Sequence, residues 1–339
     1  MALVTAHRHL LFGFCVETDY LFRTPMTAAP HDKAPDLFFR LTLLASQRVL
    51  LPGACLYQSS GKNRFDESSV QLYALPSGVV MRFPRIADFW LTPGEIHCEL
   101  CDPTLEYMVD VLLLGHVMAC YLEQQGLLAM HAGALVVGEQ AVLLAGDKGA
   151  GKSSMVSSMV AAGFPLMADD IAPVEENGGE VLCRSAFPQV KLSPEQLERF
   201  ATGNNRAYPR FHPGFTKLSV PAADLGAFDP GPRQVGAIYL LERGSRECPT
   251  IETVPPARAV VELARQTFLG DILESSPLQR HRFDHLVRVA RAVPVRRLCY
   301  PDGFHHLDDV HEAIVRDLAS PSRRYLNDTR CCANDSGKV

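Results

Sequence analysis

From Ala6 to about Pro103 the chain alternates short apolar runs with Pro, Gly and Ser clusters: "HLLFGFCVETDYLF", "LFFRLTLL", "SVQLYAL", "GVVMRFPRIADFWLT" and "EIHCEL". Runs of that length and spacing predict strands rather than helices. The Pro- and Ala-rich "TPMTAAPHDKAPD" between the first two runs reads as a loop. The pattern then lengthens, and a helix is expected from about Leu105 to Gln125. Its apolar centre, "VLLLGHVMACYL", contains His116 and is flanked by Asp110 and Glu123. That stretch falls short of the roughly 20 apolar residues that cross a bilayer, so it reads as a buried helix.

From Met130 the order is strand, turn, strand, glycine loop, helix, strand. "ALVVG" and "AVLLAG" are β-like runs separated by Glu139-Gln140, and Lys152 to Ala162 is helical with Gly163 as its stop. Further β segments follow, such as "GEVLCRSA" and "VGAIYLLER", then helices over Ala257 to Leu273 and Leu278 to Val293, then the strand-like "VRRLCYP". The pattern predicts an α/β nucleotide-binding domain with a mixed sheet over residues 105–319. A smaller β-rich domain, residues 1–104, precedes it. The polar tail, residues 320–339, is expected to be disordered.

The chain of 339 residues, 47% hydrophobic, can bury a large core. Its net charge of -5 gives no global basic field for nucleic acid or an anionic membrane, so neither is expected as a partner. Ten scattered cysteines and no signal-like start fit reduced thiols in the cytoplasm. Cys98 and Cys101 form a CxxC without a second pair, too little for zinc, and Cys331 and Cys332 lie in the tail.

The chemistry concentrates in one segment, Gly146-Asp147-Lys148-Gly149-Ala150-Gly151-Lys152-Ser153, set between an expected strand and an expected helix. Glycines at that spacing let consecutive backbone N–H groups converge on phosphate oxygens, aided by the helix N-terminus. Lys152 supplies a charge toward the β- and γ-phosphates, and the Ser153 hydroxyl suits Mg²⁺. Ser154 closes the phosphate-binding run. Ser157 and Ser158 read as ordinary helix-surface residues, and Lys148 is either at the phosphates or in solvent.

Asp169 and Asp170 close the next expected strand, on the edge where open α/β sheets bind ligands. One carboxylate there is what Mg²⁺ on a phosphate loop needs, and a second can take a proton from an attacking hydroxyl. On a strand the two would face opposite ways, so separate tasks are expected. His131 stands at the start of a strand and by its surroundings alone reads as a core residue.

The combination "MHAGALVV…AGDKGAGKSS…GFPLMADD" resembles the HPr kinase/phosphorylase family over Met130 to about Glu175. The resemblance implies ATP and Mg²⁺ on Lys152 and Ser153, Asp169 as catalytic base, Asp170 as the metal-associated carboxylate, and His131 at the active site. The chain is also similar over most of its length to HPr-kinase-like proteins encoded with lasso peptides, which phosphorylate a serine of a precursor peptide. That similarity rests on "FGFCVETDYLF", "VVMRFPRIADFWLTP", "FPQVKLSPE" and a Lys217-containing segment followed by "VP". The glycine-containing segment that supports reverse phosphorolysis in true HPr kinase/phosphorylases is not found here.

The expected function is therefore an ATP-dependent serine kinase with a peptide or protein acceptor, possible as a homo-oligomer. The β-rich first domain and the loop "TGNNRAYPRFHPG" are candidates for holding the acceptor. A non-catalytic ATP-binding switch and an HPr(Ser) kinase of carbon metabolism are the alternatives. Lys217 reads as a surface lysine, with contact to phosphate or the acceptor as the alternative, and His305-His306 is expected in a polar loop, while Lys191 and His212 are left without a role.

Overall fold

Strands dominate the first hundred residues because turn chemistry recurs every few positions. The computed structural model describes residues 6–201, 206–245, 247–273 and 278–320. The tail with Cys331 and Cys332, and residues 202–205 of the acceptor-loop candidate, lie outside the described residues. The first sheet contains β1 (His7–Leu11), β2 (Phe14–Thr18), β3 (Thr27–Ala28), β4 (Leu37–Leu43), β5 (Cys55–Gln58), β6 (Gln71–Leu75), β7 (Gly78–Phe83), β8 (Ala87–Thr92) and β9 (Glu95–Leu100). Their order is β3-β1-β2-β4-β9-β8-β7-β6-β5. The tight β1–β2 hairpin turns on Phe12 and Gly13, both at positive φ, as a two-residue hairpin loop requires.

The helical stretch that follows is not one rod. A 3₁₀ turn, Pro103–Leu105, leads into α1 (Tyr107–Leu112), a wide π-type turn, Leu113–Val117, and α2 (Met118–Gln124). Gly115, with φ -102 and ψ -108, breaks the helical path, and a glycine in a helix interior resists bending least. The break lets His116 meet Phe83 and Phe268 edge-on. Among the described residues, no helix is long and apolar enough to cross a membrane.

The second sheet begins with β10 (Leu128–Met130), β11 (Ala132–Val137) and β12 (Gln140–Ala145), then helix α3 (Lys152–Ala161). It continues with β13 (Leu166–Ala168), β14 (Ala172–Asn177) and β15 (Glu180–Cys183). A separate two-stranded ribbon pairs β16 (Gln189–Leu192) with β17 (Leu218–Pro221), the strands being joined through α4 (Pro194–Phe200) and a long loop. Then come β18 (Arg233–Gly244), β19 (Thr250–Thr253), α5 (Pro256–Arg265), α6 (Gly270–Leu273), α7 (Leu278–Ala292), β20 (Val295–Pro301) and α8 (Leu307–Ala319). The order β10-β14-β15-β18-β12-β11-β13, with β20 on β18 and β19 on β20, makes it a mixed sheet.

Strand direction decides where a site can form. β18 runs parallel to β12 and to β20. β11 is antiparallel to both β12 and β13, so β13 runs with β12. The carboxyl ends of β12, β13, β18 and β20 therefore share one edge, the usual ligand edge of an open α/β sheet.

β11 and β12 are apolar on both faces, as strands covered on both sides must be. Alternate residues serve two cores: Val136 and Leu143 join a cluster containing Phe12, Phe89, Val109 and Val295, while Leu135 and Leu144 join one with Met155, Val160 and Ile314. The first of these clusters runs from Leu11 to Val295, so both sheets share it. Gly133 lets α3 close in: a Cβ there would lie 2.2 Å from Val156 Cγ2.

Three expectations need correcting. Ser157 and Ser158 are buried, not surface residues, because α3 is enclosed on all sides; Ser157 donates to the Ser153 carbonyl and Ser158 meets His311 Nε2 at 2.8 Å. The expected helix from Ala257 to Leu273 is two, α5 and α6. It breaks because the chain leaves the helix to bridge Met130 with Thr267, and the Phe268 N–H donates to the Ala129 carbonyl. His305-His306 forms a 3₁₀ turn that starts α8. The described cysteines are free thiols, with Cys98 buried and Cys101 pushed up to about 11 by burial.

Candidate functional site

The loop from Gly146 to Ser153 joins the end of β12 to the first turn of α3. Gly149 and Gly151 sit at φ 92 and 91, backbone that L side chains rarely adopt. At Gly151 a Cβ would also lie 2.3 Å from the Tyr300 hydroxyl, which itself donates to the Ala150 carbonyl at 2.6 Å. Asp147, Lys148 and Gly149 are exposed; Lys152 turns inward, its ammonium on the Gly146 carbonyl at 2.5 Å. Burial pulls the Lys152 amine below its ordinary range, against the pull of Asp170 and Asp147.

One residue braces the loop from far away in sequence. Gln266, buried in the break between α5 and α6, accepts from the Gly146 N–H at 3.0 Å and donates to Asp147 Oδ1 at 3.1 Å. Its own carbonyl accepts from the His131 N–H at 2.6 Å. Gln266→Ala is expected to leave the buried Gly146 N–H unpaired, costing about 1–3 kcal/mol of stability and weakening nucleotide binding together. Chemical denaturation and calorimetric ATP titration of the same variant check both.

Asp169 and Asp170 lie in the bend just after β13, not on the strand, so the opposite-face argument does not apply. One lysine reaches both: the Lys191 backbone N–H donates to Asp169 Oδ2 and its ammonium to Asp170 Oδ2, each at 2.9 Å. Burial pushes the Asp169 carboxyl up to about 6, with Lys191 opposing, and among the described residues Asp169 Oδ1 is buried without a hydrogen-bond partner. At Asp170 burial works in the same direction, but Lys191 and His131 together outweigh it and hold the carboxyl down to about 2. The pair is split by environment into a basic and an acidic carboxylate.

His131 stands beside Asp170, Nδ1 to Oδ1 at 3.3 Å, with burial holding the imidazole below its ordinary value. Phe268 packs against His131 on one side and His116 on the other, with ring centroids 5.7 and 5.3 Å away. Ser154 is half-buried and its hydroxyl accepts from Gln196 of α4 at 2.8 Å. Lys217, expected at the surface, is half-buried instead and donates to the Ser153 hydroxyl at 2.9 Å. The β16–β17 ribbon carries Lys191 and Lys217 to the site. His212 stays outside, packed on Tyr107 and Phe215.

The residues present fit a magnesium nucleotide. The loop offers converging N–H groups and a lysine, and Ser153 and Asp170 offer the hard oxygens that Mg²⁺ takes. No group of three or more His, Cys, Asp or Glu that could hold a metal occurs among the described residues. Mg²⁺ on a nucleotide takes only one or two protein carboxylates, its other ligands being water and phosphate.

No protein-family model matches the chain, and no curated protein does. Among solved structures, the HPr(Ser) kinase/phosphatase from Coxiella burnetii is similar at 16% identity, over 55% of this chain and 93% of that one, with a TM-score of 0.32. A likeness of that degree carries no conclusion about activity.

Proposed function

We propose that the chain is an ATP-dependent kinase that phosphorylates a serine hydroxyl of a peptide or protein. The observation that carries this reading is the half-buried Asp169, whose Oδ1 is buried and, among the described residues, unpartnered, beside a phosphate-binding loop. A nucleotide switch needs a metal carboxylate but no base of this kind.

ATP with Mg²⁺ supplies the phosphoryl group and neutralises the charge that develops on it. The N–H groups of the loop beyond Gly146 and the Lys152 ammonium would hold the phosphates, and Ser153 and Asp170 would hold the metal. Asp169 accepts the proton of the acceptor hydroxyl as that oxygen bonds to the γ-phosphorus and the bond to the β-phosphate oxygen breaks, releasing ADP. Lys191 fixes the orientation of both carboxylates, and His131 sets the charge beside Asp170. The sequence similarity to lasso-cluster kinases makes a ribosomal precursor peptide the proposed acceptor, and the scattered free cysteines make the cytoplasm the proposed compartment.

The test is incubation of the chain with Mg²⁺, ATP and a serine-containing peptide encoded beside its gene, read by mass spectrometry for a gain of one phosphate. Tight ATP binding with a conformational change, but no transfer to any peptide or protein, would establish the switch instead.

A further inference from the structure

Two lysines at the mouth of the loop have no carboxylate to match them. Among the described residues, neither Lys152 nor Lys217 lies within ion-pair distance of an Asp or Glu, whereas Lys191 is paired with Asp170. Lys152 rests on a carbonyl and Lys217 on a hydroxyl, both neutral acceptors. Lys152 is the expected phosphate lysine, and its charge answers to a nucleotide. Lys217 presents the same signature: an ammonium turned toward the phosphate loop, and close enough to Lys152, Asp169 and Asp170 to shift the ionisation of all three.

The placement of Lys217 is built into the ribbon. β16 and β17 pair Lys191 with Ser219, and Lys217 stands immediately before β17, two residues from Ser219. The loop before it is closed by its own bonds: the Phe211 N–H donates to the Lys217 carbonyl at 3.0 Å, the Ser219 N–H to the Pro209 carbonyl at 2.9 Å, and the Phe215 N–H to the His212 carbonyl at 2.9 Å. The Lys191 ammonium stacks over Phe211 at 4.2 Å, tying the loop to the acid pair. A lysine beside a braced hairpin contacts Ser153, the residue after Lys152 at the start of α3, and stands near Asp170.

We propose that Lys217 is a second phosphate lysine: its ammonium holds the terminal phosphate of ATP and makes no contact with ADP. This deepens the kinase reading and rests on its phosphate loop, but not on transfer taking place. The experiment is calorimetric titration of wild type, Lys217→Met and Lys217→Arg with ATP and with ADP, each in Mg²⁺.

Loss of one charge-assisted contact is expected to weaken ATP binding to Lys217→Met roughly tenfold to a hundredfold. ADP affinity should hold, and Lys217→Arg should recover part of the ATP preference. An equal loss for both nucleotides, or none for either, would overturn the assignment. If Lys217→Met does not fold, judged by circular dichroism, Lys217→Gln takes its place under the same criteria. A wild type that transfers nothing, yet loses its ATP preference on Lys217→Met, would sink the kinase reading and leave this inference standing. A wild type with no nucleotide affinity would end both.

Discussion

Replacing Lys152 by alanine is expected to abolish measurable ATP binding while leaving the fold intact. The side chain is the first of α3, and among the described residues its ammonium has only the Gly146 carbonyl as a hydrogen-bond partner. Alanine is the best helix former, so the start of α3 is not weakened. What is lost is a charge aimed at two phosphates in a partly buried site, where a charged hydrogen bond contributes about 1.5–3 kcal/mol. Two such contacts correspond to a loss of roughly a hundredfold or more in affinity. The cleanest measurement is ligand-linked stability. At a nucleotide concentration of about 100 times Kd, wild type gains about 2.7 kcal/mol, a clear rise in melting temperature. Lys152→Ala should melt close to wild type without ATP and show no rise with it. A variant of normal melting that retains the ATP-induced rise would remove the loop from the site.

The glycine loop was legible because its chemistry is local: glycines, lysine and serine act within one turn between β12 and α3, and the apolar runs marking those elements are strong. The first sheet was legible for the same reason, its turns falling between short β-rich runs. Gln266 was not legible. It sits inside what reads as a continuous helix, where glutamine is an ordinary surface residue. Only the bridge between Met130 and Thr267, made by residues far apart in sequence, stops α5 and turns Gln266 inward. Lys191 and Lys217 failed to declare themselves for a related reason. Lys191 lies on β16 and Lys217 just before β17, short strands whose partners are distant, and the register that sets Lys191 against Ser219 decides where the ribbon delivers them. The acid pair's place beside the loop was legible, and its geometry was misread. Asp169 and Asp170 were placed on a strand with opposed side chains, but β13 ends at Ala168 and the bend that follows lets Lys191 hold both.

That shared lysine sharpens the expected contrast between the two carboxylates. Asp169→Asn should lower phosphoryl transfer by roughly 10²- to 10⁴-fold, the scale of a lost general base. Its ATP affinity should stay close to wild type: the amide oxygen can still accept from the Lys191 backbone N–H, and Ser153 and Asp170 remain to hold the metal. Asp170→Asn removes charge from a different place. The Lys191 ammonium would lose its ion pair, His131 its anionic neighbour, and Mg²⁺ a hard anionic oxygen. Metal-dependent nucleotide binding should therefore weaken along with transfer, and the Mg²⁺ concentration needed for half-maximal binding should rise. Calorimetric titration with ATP at several Mg²⁺ concentrations, beside mass spectrometry of the peptide acceptor, separates the two variants. Loss of ATP binding in Asp169→Asn with transfer alone lost in Asp170→Asn would exchange the two roles. Equal loss of both properties in both variants would mean that the pair acts as one structural anion clamped by Lys191, and Asp169 would no longer stand as the base.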